Sequence, residues 1–295
     1  MTEQPFVVTE LGSQPACWRR AAALAGHYAE VLPRDGERVA VVGCGTSWFI
    51  AQAYAALRES AGRGHTDAFA ASEYPAGRRY DRIVLITRSG TTTEVLDLAS
   101  RVSDPTVAIT GDADTPIRTA ADALVLLDFA DERSVVQTRF ATSALALLRA
   151  SLGESLDAAI ADAEAALAEP LPPELVHAEQ FTFLGRGWTC GIAQEAGLKM
   201  REAACAWTES YPAMEYRHGP ISITGPNRVA WMFGPAPEGL AEDVAATGGT
   251  FRQHPRDAMA DLIVVQRLAV AIAAAKGLDP DQPRHLTRSV ILDHS

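Results

Sequence analysis

Two turns rich in glycine and hydroxyls carry the clearest chemistry in this sequence. The first, Gly43-Cys44-Gly45-Thr46-Ser47, follows the apolar run at 39–42 and opens a helical pattern. A glycine turn at a helix N-terminus offers unpaired N–H groups and the positive end of the helix dipole to an anion. Alone, the same residues are also what a helix merely capped by Thr46 and Ser47 would show. They are not a dinucleotide fingerprint, because Trp48 stands where GxGxxG needs its third glycine. The second turn, Thr87-Arg88-Ser89-Gly90-Thr91-Thr92-Thr93, follows the apolar run at 83–86 and precedes a helix at 94–99. Hydroxyls and one arginine around a glycine, with no Walker lysine, suit a phosphate monoester better than a nucleotide polyphosphate. In a parallel sheet both turns leave the carboxyl ends of strands, where they can close on one anion.

Candidates for proton transfer lie further along. Glu195, Lys199 and Glu202 are spaced i, i+4 and i+7, which puts them on one helical face. For Glu195 and Lys199 the plain expectation is a solvated salt-bridge face. His218 sits between a polar run and Gly219-Pro220, and a lone histidine is more often structural than catalytic. No GxSxG or HExxH accompanies it, so serine hydrolase and zinc protease chemistry lack support. Cys17, Cys44, Cys190 and Cys205 are too far apart for a metal-binding pair and read as buried free thiols; no metal site and no cofactor are expected.

These residues need elements to hold them, and the sequence repeats itself in supplying them. The segments 39–53 (VAVVGCGTSWFIAQA) and 181–196 (FTFLGRGWTCGIAQEA) share an apolar run, Gly-x-Gly and Ile-Ala-Gln, with Gln52 and Gln194 142 residues apart. The runs 83–87 and 229–233 follow 146 residues apart, and 106–110 and 250–253 continue the pattern weakly. Strand, glycine turn, helix, strand in each half implies βαβ units and an α/β class. Helices are expected at 17–32, 134–152 and 156–168. The prolines of 169–173 (EPLPP) stop any helix and mark a linker between domains at 1–168 and 174–295. Thirty-seven acidic against 26 basic residues give a net charge of −11, which argues against a broad nucleic-acid footprint. No basic, apolar leader opens the chain, and the apolar stretch at 262–275 is interrupted by Gln266 and Arg267. A cytoplasmic location and no membrane span are expected.

The motifs CGTS at 44–47, SGTTTE at 89–94, LGRG at 184–187, LKMRE at 198–202, RHGP at 217–220 and DQPRHLTRSV at 281–290 together resemble the sugar isomerase (SIS) domain family. The similarity is greatest to the isomerase half of glucosamine-6-phosphate synthase, to phosphosugar isomerases and to SIS-type glucosamine-6-phosphate deaminases, and it covers nearly the whole chain. It implies two tandem flavodoxin-like subdomains related by duplication, and a homodimer with sites near the interface. It implies a phosphate pocket at Ser47, Thr87, Arg88, Ser89 and Thr92, with Arg88 strengthening phosphate binding. Sugar-lining positions fall at Gly45, Thr46, Ser134, Val135, Gln137 and Thr138. Glu202 falls where the family moves a proton between sugar C1 and C2, and His218 where it opens the ring, from a neighbouring subunit. Arg288 stands where the synthase has a catalytic lysine, and a guanidinium does not readily form a Schiff base. The synthase's glutaminase half has no counterpart in this sequence, so glutamine-driven amination is not expected. The resemblance thus implies aldose-ketose isomerisation of a sugar or amino-sugar 6-phosphate. The alternatives are deamination of glucosamine 6-phosphate with release of ammonia, and a non-catalytic sugar-phosphate-binding regulator.

Overall fold

A computed structural model of the chain describes residues 4–292; the outermost residues of the two expected domains lie outside that range. The chain starts with α1 (Phe6–Gly12) and α2 (Gln14–Ala23). Five strands follow: β1 (Val39–Gly43), β2 (Thr66–Ala70), β3 (Arg82–Ile86), β4 (Thr106–Thr110) and β5 (Ala123–Leu126). Between them lie α3 (Thr46–Ser60), α4 (Thr93–Arg101) and the single turn α5 (Ile117–Ala120). Helices α6 (Arg139–Ser151), α7 (Asp157–Ala168) and the short α8 (Pro173–Val176) lead to a second set of strands. These are β6 (Gln180–Gly185), β7 (Trp207–Pro212), β8 (Arg228–Met232) and β9 (Thr250–Gln253), joined by α9 (Thr189–Ala204) and α10 (Leu240–Ala246) and closed by α11 (Ala258–Ala275).

Both sheets are parallel throughout. The first runs β2-β1-β3-β4-β5 and the second β7-β6-β8-β9, so the second repeats the order of the first four strands. Strands covered on both faces must be apolar at every position, and β1 and β4 are buried along their whole length, as is β6. The α/β class agrees with the sequence reading, as do three of the four repeated strand positions (β1 with β6, β3 with β8, β4 with β9); the pair β2 and β7 stands outside that reading.

One core joins the halves. Trp18 of α2, Tyr54 of α3 and Phe140 of α6 pack in the same cluster as Phe181, Phe183, Met200 and Leu268 from the second half. The outer face of the first sheet has its own core under α4 and α5, and that of the second under α10. Helix α11 is long and apolar enough to cross a membrane, but most of it is buried inside this fold.

The structure corrects some boundaries. The helix expected at 17–32 is α2, which starts at Gln14 with Pro15 in its first turn and stops at Ala23, ahead of Gly26; turns replace the rest. Of the helix expected at 134–152, residues 134–138 are a loop, because their polar groups bind two buried carboxylates described below. The expectation of four buried thiols is also too broad: all four are free, Cys17 is buried, and Cys205 is exposed at the left-handed end of α9.

Candidate functional site

The C-terminal ends of β1 and β3 deliver both turns to one edge of the first sheet, at the N-termini of α3 and α4. The first turn is tight. A side chain on Gly43 would place its Cβ 2.6 Å from the Ser47 backbone, and one on Gly185, at the same place in the second half, 2.3 Å from the Thr189 carbonyl oxygen. Gly45 and Gly187 both have φ of +53°, which favours glycine. Cys44 is no thiolate here, since burial, with Glu94 nearby, pushes its thiol up to about 11.

In the second turn the Thr87 hydroxyl is buried without a partner, a costly state that a bound ligand oxygen would relieve. Ser89 Oγ accepts hydrogen bonds from the Thr91 hydroxyl (3.0 Å) and N–H (3.3 Å). Ser47 is buried in the first turn of α3. The Arg88 guanidinium donates Nη1 to the Ser134 carbonyl (2.9 Å) and Nη2 to the Arg288 carbonyl (2.8 Å), joining two segments of chain. Its Nε is buried without a partner, beside the Thr87 hydroxyl in the same state.

Arg288 is also engaged with the chain. Its Nη2 donates to both carboxylate oxygens of Asp131 (2.6 and 2.8 Å) and its Nη1 to the Glu132 carbonyl. So engaged, it holds the C-terminal tail against the 131–132 segment. The tail then crosses the N-terminus of α4: the Thr93 N–H donates to the Val290 carbonyl (3.1 Å), the Leu292 N–H to Thr93 Oγ1 (2.9 Å), and the Thr92 and Ser289 hydroxyls meet at 3.4 Å.

The 131–138 loop is built around two carboxylates that sequence reading missed. Glu132 accepts from the N–H groups of Thr138 (2.6 Å), Arg139 (2.9 Å) and Phe140 (3.2 Å), capping α6, and also from the Thr138 hydroxyl (2.7 Å). Burial pushes the Glu132 carboxyl up, against the pull of Arg88 and of these hydrogen bonds. Glu10 of α1 accepts from the Ser134 hydroxyl (2.5 Å) and the Arg133 N–H. The Ser134 and Thr138 side chains are therefore engaged as internal fasteners of the loop. Val135 and Gln137 are half-buried, and Gln137 Oε1 is shielded without a partner. The only available signal was negative: Glu132 lies in a polar run, outside any periodic pattern.

The largest departure concerns α9. Glu195 and Lys199, expected on a solvated face, are buried, with 1% of each side chain exposed. Helix α9 packs on α3 with Gly191 over Phe49 and Ala53, and Gln194 Nε2 donates to Gln52 Oε1 at 2.9 Å. This crossing places the last turns of α9 against the first turn of α3. Lys199 Nζ there donates to Thr46 Oγ1 (2.9 Å) and Glu202 Oε2 (2.5 Å), with Glu195 Oε1 at 3.5 Å. Glu202 keeps 18% of its side chain exposed, so it is the member of the triad that a ligand can touch. Burial pushes Glu195 up to about 8 despite Lys199. Burial alone would lower Lys199, but the two carboxylates outweigh it and hold the ammonium above its usual range. One buried cation thus supports one carboxylate, and the second is protonated at neutral pH.

His218 lies elsewhere. It ends a short turn after β7, exposed, with no hydrogen bond or ion pair among the described residues, and is not brought to Glu202 within one chain. No group of three or more metal-ligating side chains occurs among the described residues.

Two parallel sheets with hydroxyl turns at the carboxyl ends of strands, completed by a buried Lys–Glu pair from the other half, define an α/β protein with one polar site shared by its halves. Residues 34–152, which hold the first sheet and both hydroxyl turns, match the SIS domain family. The chain is 26% identical, over 90% of its length, to the isomerizing glutamine–fructose-6-phosphate aminotransferase of Nostoc sp., and spans 53% of that protein. The chain spans about half the length of the curated relatives it matches. Its fold resembles the crystal structures of glucosamine-6-phosphate deaminase from Thermotoga maritima (TM-score 0.80, 22% identity, 97% of this chain and 99% of that one) and of tagatose-6-phosphate ketose/aldose isomerase from Escherichia coli (TM-score 0.78, 19% identity, 98% and 96%).

Proposed function

We propose that this chain interconverts an aldose and a ketose 6-phosphate, or the corresponding amino sugars, by proton transfer between C1 and C2. The observation that carries this reading is the Glu202 carboxylate, reachable from solvent yet held at 2.5 Å by a buried ammonium that also binds the first hydroxyl turn. In this reading Ser47, Thr87, Ser89 and Thr92 hold the phosphate, and the non-reacting phosphate fixes the carbonyl end against Glu202. Glu202 takes the C2 proton of the open-chain aldose, leaving an enediolate with its charge on O1; O1 takes up a proton from solvent as O2 releases one, and Glu202 returns its proton to C1 to give the ketose. Lys199 keeps the carboxylate in one orientation through the exchange. An exposed, unpartnered His218 fits a role in the site of a second copy, so the working unit is a homodimer.

Arg288, a guanidinium paired with Asp131 where the family resemblance implies a lysine, supports chemistry without a Schiff base to the enzyme. An amino group at C2 would turn the same proton abstraction into ammonia release, so substrate decides between isomerase and deaminase. The test is a panel of aldose, ketose and amino-sugar 6-phosphates followed by NMR for isomers and by an ammonia assay. Glu202→Gln should lower turnover by about a thousandfold and leave calorimetric phosphosugar affinity nearly unchanged. Undiminished turnover in the variant removes Glu202 from the mechanism, and binding without turnover across the panel makes the chain a sugar-phosphate-responsive regulator.

A further inference from the structure

At the opposite edge of the first sheet, where α4 ends and β3 and β4 begin, a cleft of about 250 Å³ is lined by Tyr74, Arg78, Arg79, Leu98, Arg101 and Asp104, among others. Three guanidinium groups stand here against one carboxylate, in a chain of net charge −11. That carboxylate is already engaged: Asp104 is buried and accepts from the Tyr80 N–H (2.9 Å) and from Arg79 (2.6 Å). Arg78 leans on Asp67 at a long 3.5 Å and is half exposed. Arg101 donates its Nε to the Asp97 carbonyl (3.1 Å) and is exposed. The remaining wall is apolar, with buried Leu98 and half-buried Val102 and Tyr74. The Tyr74 ring is fixed by Phe69 (centroids 5.5 Å apart) and Tyr80 (6.0 Å), while its hydroxyl is shielded from water without a partner.

We infer that this cleft is a second anion site, for a small phosphate ester whose flat body rests on the apolar wall. Arginines offer charge-assisted, forked donors to phosphate oxygens, and a fixed aromatic ring gives a flat ligand a low-entropy surface. The site does not depend on the reaction proposed above: α4, nine residues or about 13 Å long, separates it from the hydroxyl turns.

The test uses AMP and inorganic phosphate as probes, by calorimetry, on a Ser89→Ala/Thr92→Ala variant that weakens the first site. AMP should bind at one equivalent per chain, more tightly than inorganic phosphate, and lose at least about tenfold in affinity when Arg78→Glu/Arg101→Glu is added. Both arginines are exposed, and a cooperative unfolding transition of the variant will show that the fold is kept. Absence of AMP binding up to about 10 mM, or AMP binding untouched by the arginine changes, overturns the site. Equal affinity for AMP and inorganic phosphate overturns the role of the apolar wall.

Discussion

Glu195→Gln tests the electrostatics of the site without touching its reachable carboxylate. Glu195 is buried, and its carboxyl titrates at about 8 instead of 4.5 because burial penalises the charged form more than Lys199 rewards it. Between pH 4.5 and pH 8 the folded chain therefore keeps a proton that the unfolded chain has released. Stability must fall with rising pH across that window by about 1.4 kcal/mol per pH unit, about 5 kcal/mol in all. Glutamine has the same shape and no proton to lose, so the variant escapes this slope.

The measurement is urea unfolding of both proteins from pH 5.5 to pH 7.5, reading the difference in free energy. That difference should grow in favour of the variant by about 3 kcal/mol over those two units. Asp261, which burial raises to about 6, slopes the same way at lower pH, but it does so in both proteins and cancels. Lys199 is held above its usual range and stays protonated, folded or unfolded, so it adds no slope here. Profiles parallel within about 0.5 kcal/mol would refute the assignment of a protonated, buried Glu195.

Other perturbations follow from the same contacts. Glu132→Ala removes the cap of α6 and orphans buried N–H donors, which should cost about 3 kcal/mol by calorimetry, while Glu132→Gln keeps an acceptor and should cost less. Arg288→Ala deletes the ion pair with Asp131, worth about 1.5 kcal/mol, and should speed amide exchange in the 289–292 tail about tenfold by mass spectrometry. Gly185→Ala sets a Cβ 2.3 Å from a backbone oxygen in α9 and should cost at least about 3 kcal/mol in thermal unfolding.

The legible parts of this molecule are those in which one short-range rule decides the outcome. Gly43 and Gly185 announce a strand meeting a helix at close quarters, and both were found from the repeat they belong to. The hydroxyl turns were legible for the same reason. Illegible were the places where a long-range partner decides. Glu195 and Lys199 have the spacing of a surface salt bridge, and only the crossing of α9 over α3 buries them. Arg88 reads as a phosphate donor, and nothing local shows that the carbonyls of Ser134 and Arg288, 46 and 200 residues away, claim two of its nitrogens. Glu10 and Glu132 carry no local pattern, yet they hold the loop that the resemblance placed beside the sugar.

The Gln52–Gln194 contact bears on why the buried Lys–Glu cluster stands at only one end of the interface. Two positions 142 residues apart in equivalent motifs meet each other, as residues do on a two-fold axis relating the helices α3 and α9. Such an axis should create two matching sites, each with a glycine turn facing the last turns of the opposite helix. At one, Thr46 meets Lys199 and Glu202. At the other, the same offset from Glu195, Lys199 and Glu202 gives Ala53, Leu57 and Ser60, and Trp188 stands in place of Thr46. Trp188 lies beside the Arg149 guanidinium, 5.0 Å from ring centroid to cation, where it can receive no lysine. A buried carboxylate needs a buried cation beside it, and only one of the two ends supplies that pair. The strand order thus repeats in both halves, and the difference in four side chains confines the buried Lys–Glu cluster to the first turn.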